Sequence, residues 1–158
     1  MNSTTVYALA LGIGIVAGLR SMTAPAVVAW AAHLKWLDLH GTRLSFLGSP
    51  LTVGIVTLLA IGELIADKLP STPNRTSAVP LLGRILTGTM CAAAICAGGG
   101  AKEATGAAIG AIGALAGTFG GYAVRHALVQ NLKLRDGAVA VVEDLIAIGG
   151  GLLLVSRF

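Results

Sequence analysis

The sequence has 158 residues, a hydrophobic fraction of 55%, a charged fraction of 11% and a formal net charge of +4. An ordinary soluble domain carries roughly 25% charged residues, so this chain lacks the polar surface to face water, and its apolar surface must face lipid. Its eleven basic residues are scattered without a Lys/Arg run, which excludes the clustered basic footprint of a nucleic-acid binder and fits loops lying at anionic headgroups.

A membrane-crossing helix needs ~20 mostly apolar residues, and five stretches qualify. The first runs from about Val6 to His33. No basic region precedes Val6 and no clear cleavage site follows, so it reads as a retained helix rather than a signal peptide. It contains Arg20 and Pro25, and Pro25 cannot donate to the carbonyl of Ser21, so the helix breaks near Ser21–Pro25. A polar loop from Leu34 to Pro50 follows, with Trp30 and Trp36 placed for the interfacial aromatic belt. The second stretch runs from about Leu51 to Leu69 and is stopped by Pro70 and Pro73. Ser71 to Val79 is a loop. The third starts after Pro80, a residue suited to a first helical turn, and ends at Gly98-Gly99-Gly100. The fourth runs from about Lys102 to Leu128 and the fifth from Gly137 to about Val155. The expected fold is therefore an all-α polytopic bundle. It forms a single transmembrane domain over residues 1–158, with about five spans and a broken first helix.

Basic residues near the ends of these segments set the orientation. Lys68, Arg75, Arg84, Arg125, Lys133 and Arg135 fall on one side, against Lys35, Arg43, Lys102 and Arg157 on the other. That excess favours the N-terminus inside and the C-terminus outside, in a bacterial inner membrane. An internal repeat is also suggested. Ile13-Gly14-x-x-Ala17-Gly18 matches Ile112-Gly113-x-x-Ala116-Gly117, and Ala60-x-x-Glu63 matches Ala140-x-x-Glu143. With three crossings between the pairs, the copies would be inverted, as is common in transporters. Gly106, Gly110, Gly113, Gly117 and Gly121 draw a stripe along the fourth helix, which lets backbones approach closely in lipid. The stripe suggests a homodimer, unless it is used within one chain. Cys91 and Cys96 share one apolar run without zinc spacing, so they read as small buried residues.

The residues that carry chemistry are charges inside apolar helices. Each costs ~2.5–3.5 kcal/mol at mid-membrane on insertion scales, so such groups face a bundle interior or a wet cavity and usually pair. Glu63 and Asp67 share one helix face. Arg84 lies about a turn into the third segment, Arg125 near the end of the fourth, and Glu143 and Asp144 early in the fifth. All of them fall in the same half of the bilayer, where Arg20 reaches them from the break. Arg20, Glu63, Asp67, Arg84, Glu143 and Asp144 are thus the candidate substrate- or ion-binding residues. The competing reading for the groups near helix ends, Arg125 included, is that they snorkel to headgroups. His33, His40 and His126 show no ligand spacing. No H-E-x-x-H, G-x-S-x-G, P-loop or paired C-x-x-C is present, so neither an enzyme nor a cofactor is expected, and no metal can be assigned.

The segments Ala17-Gly18-Leu19-Arg20-Ser21-Met22-Thr23-Ala24-Pro25 and Glu63-Leu64-Ile65-Ala66-Asp67-Lys68-Leu69-Pro70, with Arg84 followed by Gly88, resemble signatures of a bacterial membrane family catalogued as domain of unknown function family 4126. The resemblance covers nearly the whole chain. It implies a small multi-spanning protein and brings no assigned activity.

The function that the residues favour is a transporter or channel for a small ion or solute, with the charged cluster as its binding and coupling site. A broken helix exposes backbone groups where transporters bind substrate. The alternatives are a lipid-headgroup-handling, flippase-like protein, which would need a lateral opening lined by Arg20 or Arg84, and an accessory membrane subunit, which would show a large apolar face and no cavity.

Overall fold

The computed structural model describes residues 1–67, 76–131 and 133–158. Six α-helices are formed among them: α1 (Ser3–Leu19), α2 (Thr23–His33), α3 (Pro50–Ala66), α4 (Ala78–Gly98), α5 (Glu103–Gln130) and α6 (Asp136–Val155), with a short 3₁₀ turn at Ser45–Gly48 before α3. No strand occurs in these residues. Helices α4, α5 and α6 are long and apolar enough to cross a membrane, and α1 and α3 are apolar helices of 17 residues. The protein is an all-helical membrane protein, as its composition requires.

Local chemistry accounts for the helix ends. Asn2 accepts the Thr5 N–H at 2.8 Å to start α1, and Ser49 accepts that of Thr52 at 3.2 Å ahead of Pro50 at the first position of α3. Side-chain oxygens satisfy amide groups that have no intrahelical partner. Helix α4 ends in the glycine run: Gly100 adopts φ +70° and Ala101 N–H returns to the Cys96 carbonyl at 2.8 Å, a left-handed closure that glycine makes without steric cost. Pro80 lies in the first turn of α4. Lys68, Pro70, Pro73 and Arg75, which entered the expected loop and the basic-residue count, lie outside the described residues.

Helices α1, α4 and α5 form the core. A Cβ on Gly14 would stand 2.6 Å from the Gly110 carbonyl oxygen, and one on Gly113 would stand 2.6 Å from that of Leu11. Gly106 and Gly110 abut Cys96, Ala92 and Gly88 of α4 in the same manner. Most of the glycine stripe is thus spent inside the chain, where it brings backbones into contact. Cys91 and Cys96 are free thiols buried in this core.

The first apolar segment is broken, but the break is a reversal. Val6 lies beside Gly99 and Leu37 beside Gly98, so the start of α1 and the chain just after α2 meet at the same end of α4. Gly151 of α6 faces both Val16 of α1 and Val27 of α2. Helices α1 and α2 therefore run antiparallel as a hairpin, about 25 Å and 16 Å long at ~1.5 Å per residue. Pro25 falls in the first turn of α2, where its missing N–H is not needed.

Two expectations are corrected by this turn. The N-terminus was expected opposite the C-terminus. Instead, α1 begins at the end of the bundle where α6 finishes, as Gly12 packed against Leu154 also shows. Of the two pairs of blocks that suggested an inverted repeat, the first lies on α1 and α5, which run parallel, since Gly14 meets Gly110 and Gly18 meets Gly117 and Thr118, so that pair is not inverted. The second pair, Ala60-x-x-Glu63 and Ala140-x-x-Glu143, lies on α3 and α6.

Candidate functional site

The hairpin turn, Arg20 to Met22, lies within the bundle. It is level with Arg84, six residues into α4 and so about 9 Å from that helix end, and with Asp144, eight residues into α6. A chain reversal there exposes the last carbonyls of α1 and the first N–H groups of α2 in a region where water cannot serve them. The intramembrane charges meet that demand.

Glu63 of α3 covers the start of α2. Its Oε1 accepts the Ser21 N–H and the Ser21 hydroxyl, both at 2.8 Å, and its Oε2 accepts the Met22 N–H at 2.7 Å. A carboxylate here also complements the positive end of the α2 dipole. Arg84 covers the end of α1. Its Nη1 donates to the carbonyls of Gly18 and Leu19 at 2.6 and 2.7 Å, placing a cation at the negative end of that dipole. Arg84 Nη2 stands 3.9 Å from Glu63 Oε1, so the two caps face each other across the turn. The Thr118 hydroxyl of α5 adds a second donor to the Gly18 carbonyl at 3.2 Å.

Arg20 occupies the turn itself and is fully buried. Its Nη1 is ion-paired with Asp67. Its Nε donates to Asp144 Oδ1 at 2.6 Å, and its Nη2 stands 3.7 Å from Glu143 Oε2. One guanidinium thus ties α3 and α6 to the hairpin turn. Glu143 continues the network outward to Arg125 at 3.5 Å, and Arg125 holds Asp136 through two hydrogen bonds of 2.8 Å.

All six residues singled out from the sequence, Arg20, Glu63, Asp67, Arg84, Glu143 and Asp144, converge here. Further participants lacked so clear a signal. The Ser21 and Met22 amides and the Gly18 and Leu19 carbonyls are backbone groups that no composition signal reveals. Thr118 looked like an ordinary small residue. Asp136 was hidden in a loop, although its place in the first turn of α6 was a readable sign. For Arg125 the sequence offered both a place in the polar cluster and snorkelling to headgroups, and in the structure it is tied to two carboxylates. Among the described residues, no group of three His, Cys, Asp or Glu side chains is placed to hold a metal. His33 lies apart from the cluster: its ring meets the Gly48 carbonyl at 3.0 Å, and Trp30 beside it donates to Thr57 at 3.0 Å.

A family model described as "Domain of unknown function (DUF4126)" matches residues 7–156, nearly the whole chain. The chain belongs to that family. The match takes in every helix that contributes to the cluster. Neither the comparison with curated proteins nor that with solved structures gives a match, so the family carries no activity over to the site, and its chemistry rests on the geometry alone.

Proposed function

We propose that this protein is a membrane transporter for a small ion or solute, with the turn of the α1–α2 hairpin as its binding and coupling site. The observation that carries this reading is the way both helix ends at the turn are closed. Glu63 sits on the α2 amides and Arg84 on the α1 carbonyls. A charged side chain in such a position can be displaced by a solute of like charge, an anion on the amides or a cation on the carbonyls. The buried Thr23 hydroxyl, which has no hydrogen-bond partner among the described residues, is a further polar group for a solute at the first turn of α2. Displacing Glu63 from the turn would loosen α3, whose Asp67 and Glu63 are its charged holds on the hairpin. That links occupancy of the site to helix movement. The carboxylates suit protons or hard cations better than soft metals.

The test is flux in proteoliposomes, screened over protons, alkali cations and small organic anions. Glu63→Gln abolishes flux while the protein keeps its size-exclusion profile, Arg20→Ala does the same, and Arg157→Ala changes nothing. Full flux in both site variants overturns the assignment. If nothing moves under any condition, the protein is an accessory subunit.

Two finer statements belong to the same reading. The end of the bundle that carries Arg84, Arg125, Lys133 and Arg135, and in sequence the α3–α4 connection with Lys68 and Arg75, faces the cytoplasm of a bacterial inner membrane. Because α1 and α2 form a hairpin, this puts both termini outside, which moves the N-terminus, but not the C-terminus, from the side that a kinked first helix implies. The unit is a homodimer formed through α3, where Leu51, Leu58 and Ile65 recur every seven residues, each more than 60% exposed, and a Cβ on Gly54 or Gly62 would meet nothing within 4 Å among the described residues. A cysteine at position 58 cross-links between protomers in native membranes. Its failure to do so rules out this face.

A further inference from the structure

Helices α5 and α6 are joined by a short connection, yet they part to leave a cavity of about 600 Å³ between them, within the ~300–1,000 Å³ range of ligand sites. Its walls are apolar, with Val124 and Leu128 on α5, Val142 and Ile146 on α6, and Leu19 at the back. Arg135 stands at the outer end where α6 begins, Arg125 lies on the α5 side, and Glu143 is in the inner wall. Glu143 is shared with the site already described, where it stands 3.7 Å from Arg20 and 3.5 Å from Arg125. The cavity opens sideways, where Val124, Val142 and Ile146 are exposed, so in a membrane it opens to lipid.

We propose that this groove holds an anionic phospholipid of the leaflet at the basic end of the bundle, with one acyl chain between α5 and α6 and the phosphate at Arg135. The fit lies in the order of the chemistry along the groove. From Arg135 to Ile146 the wall runs about 16 Å at ~1.5 Å per residue, a depth suited to an acyl chain, and below Arg135 the α6 residues that line it are apolar except for Glu143. The cation is at the level of the headgroups. Arg125 is neutralised by Asp136 and Glu143, whereas no carboxylate among the described residues lies within ion-pair distance of Arg135, which is exposed. Arg135 is therefore the group left to meet a phosphate, and a guanidinium does so with two parallel hydrogen bonds. An empty apolar notch beside the Glu143–Arg125 pair would admit water to the ion-paired network. A resident acyl chain closes that side. The groove shares Leu19, Arg125 and Glu143 with the charged site, but the inference does not rest on the transport reading, because its test needs no flux.

The experiment is native mass spectrometry of the purified full chain, released from detergent after equilibration with equal amounts of phosphatidylglycerol and phosphatidylcholine bearing the same acyl chains. The wild type retains phosphatidylglycerol in preference. Arg135→Gln lowers that preference about fivefold, as expected for one basic residue at a membrane surface, and Arg43→Gln at the opposite end leaves it unchanged. Ala138→Trp, which fills the groove from its α6 wall, removes the retained lipid, and unchanged thermal unfolding shows that the variant is folded. If Ala138→Trp does not fold, Val142→Phe replaces it. Equal retention of both lipids, or a preference that survives Arg135→Gln, overturns the headgroup assignment. Retention that survives filling of the groove places the lipid elsewhere and overturns the site. Loss of the lipid to added inorganic phosphate alone shows an anion site without a chain and overturns the proposal as well.

Discussion

The bundle contains two regions held together in different ways. In the first, α1, α4 and α5 meet through glycine and alanine, and their backbones are close enough that a single added carbon at Gly14 or Gly113 would collide with a carbonyl oxygen. In the second, α3 and α6 turn large side chains outward, with Leu51, Leu58 and Leu145 each more than 60% exposed. They are anchored to the hairpin by ion pairs and hydrogen bonds at the turn. The difference follows from the solvent. Lipid tails are as apolar as leucine, so burying a leucine against another helix gains little, while close backbone packing and polar contacts gain more. The core is therefore held by shape and the periphery by charge. A region held by a few strong polar contacts can be released by exchanging them, as the proposed transport function requires.

The comparison can be broken most decisively at the core. Gly110→Leu places a side chain against the Gly88 backbone, where no rotamer relieves the clash. The expected outcome is loss of the folded monodisperse protein in mild detergent, and a well-folded Gly110→Leu variant would show that the core is not held by shape. Next in size is Arg20→Ala, which leaves carboxylates buried without their cation. It costs ~3–5 kcal/mol, read as a shift in denaturant-induced unfolding in detergent. An effect close to zero would mean that charge does not hold the periphery. Trp30→Phe removes the hydrogen bond to Thr57 that joins α2 to α3 and costs ~1 kcal/mol in the same assay. The smallest effect belongs to Leu58→Ala on the outward face of α3, within ~0.5 kcal/mol for the protomer. A loss of several times that amount would show that this face is packed against something in the folded chain.

Much of this was legible in the sequence, and the legible part has a common character. The helix ends follow Pro50, Pro80 and the Gly98–Gly100 run within a few residues, because proline and glycine act on the backbone where they stand. The intramembrane charges were recognisable by their insertion cost, and all six that were named meet in space. The glycine stripe announced a close contact without saying with which helix. The Arg125–Asp136 pair was missed because both residues lie near helix ends, where a charge can equally well reach headgroups.

The sequence by itself determined the lipid-facing character of the chain, the helical segments, the break after Arg20 and the residues that had to find polar company. Only the tertiary structure decided that the chain reverses at that break, that α1 and α5 run parallel, and which partner each charge takes. The physical reason is range. A break depends on Pro25 and its neighbours, but the direction of the chain beyond it depends on what satisfies the exposed backbone groups. Those partners, Glu63 on the amides and Arg84 on the carbonyls, come from helices more than forty residues further along the chain.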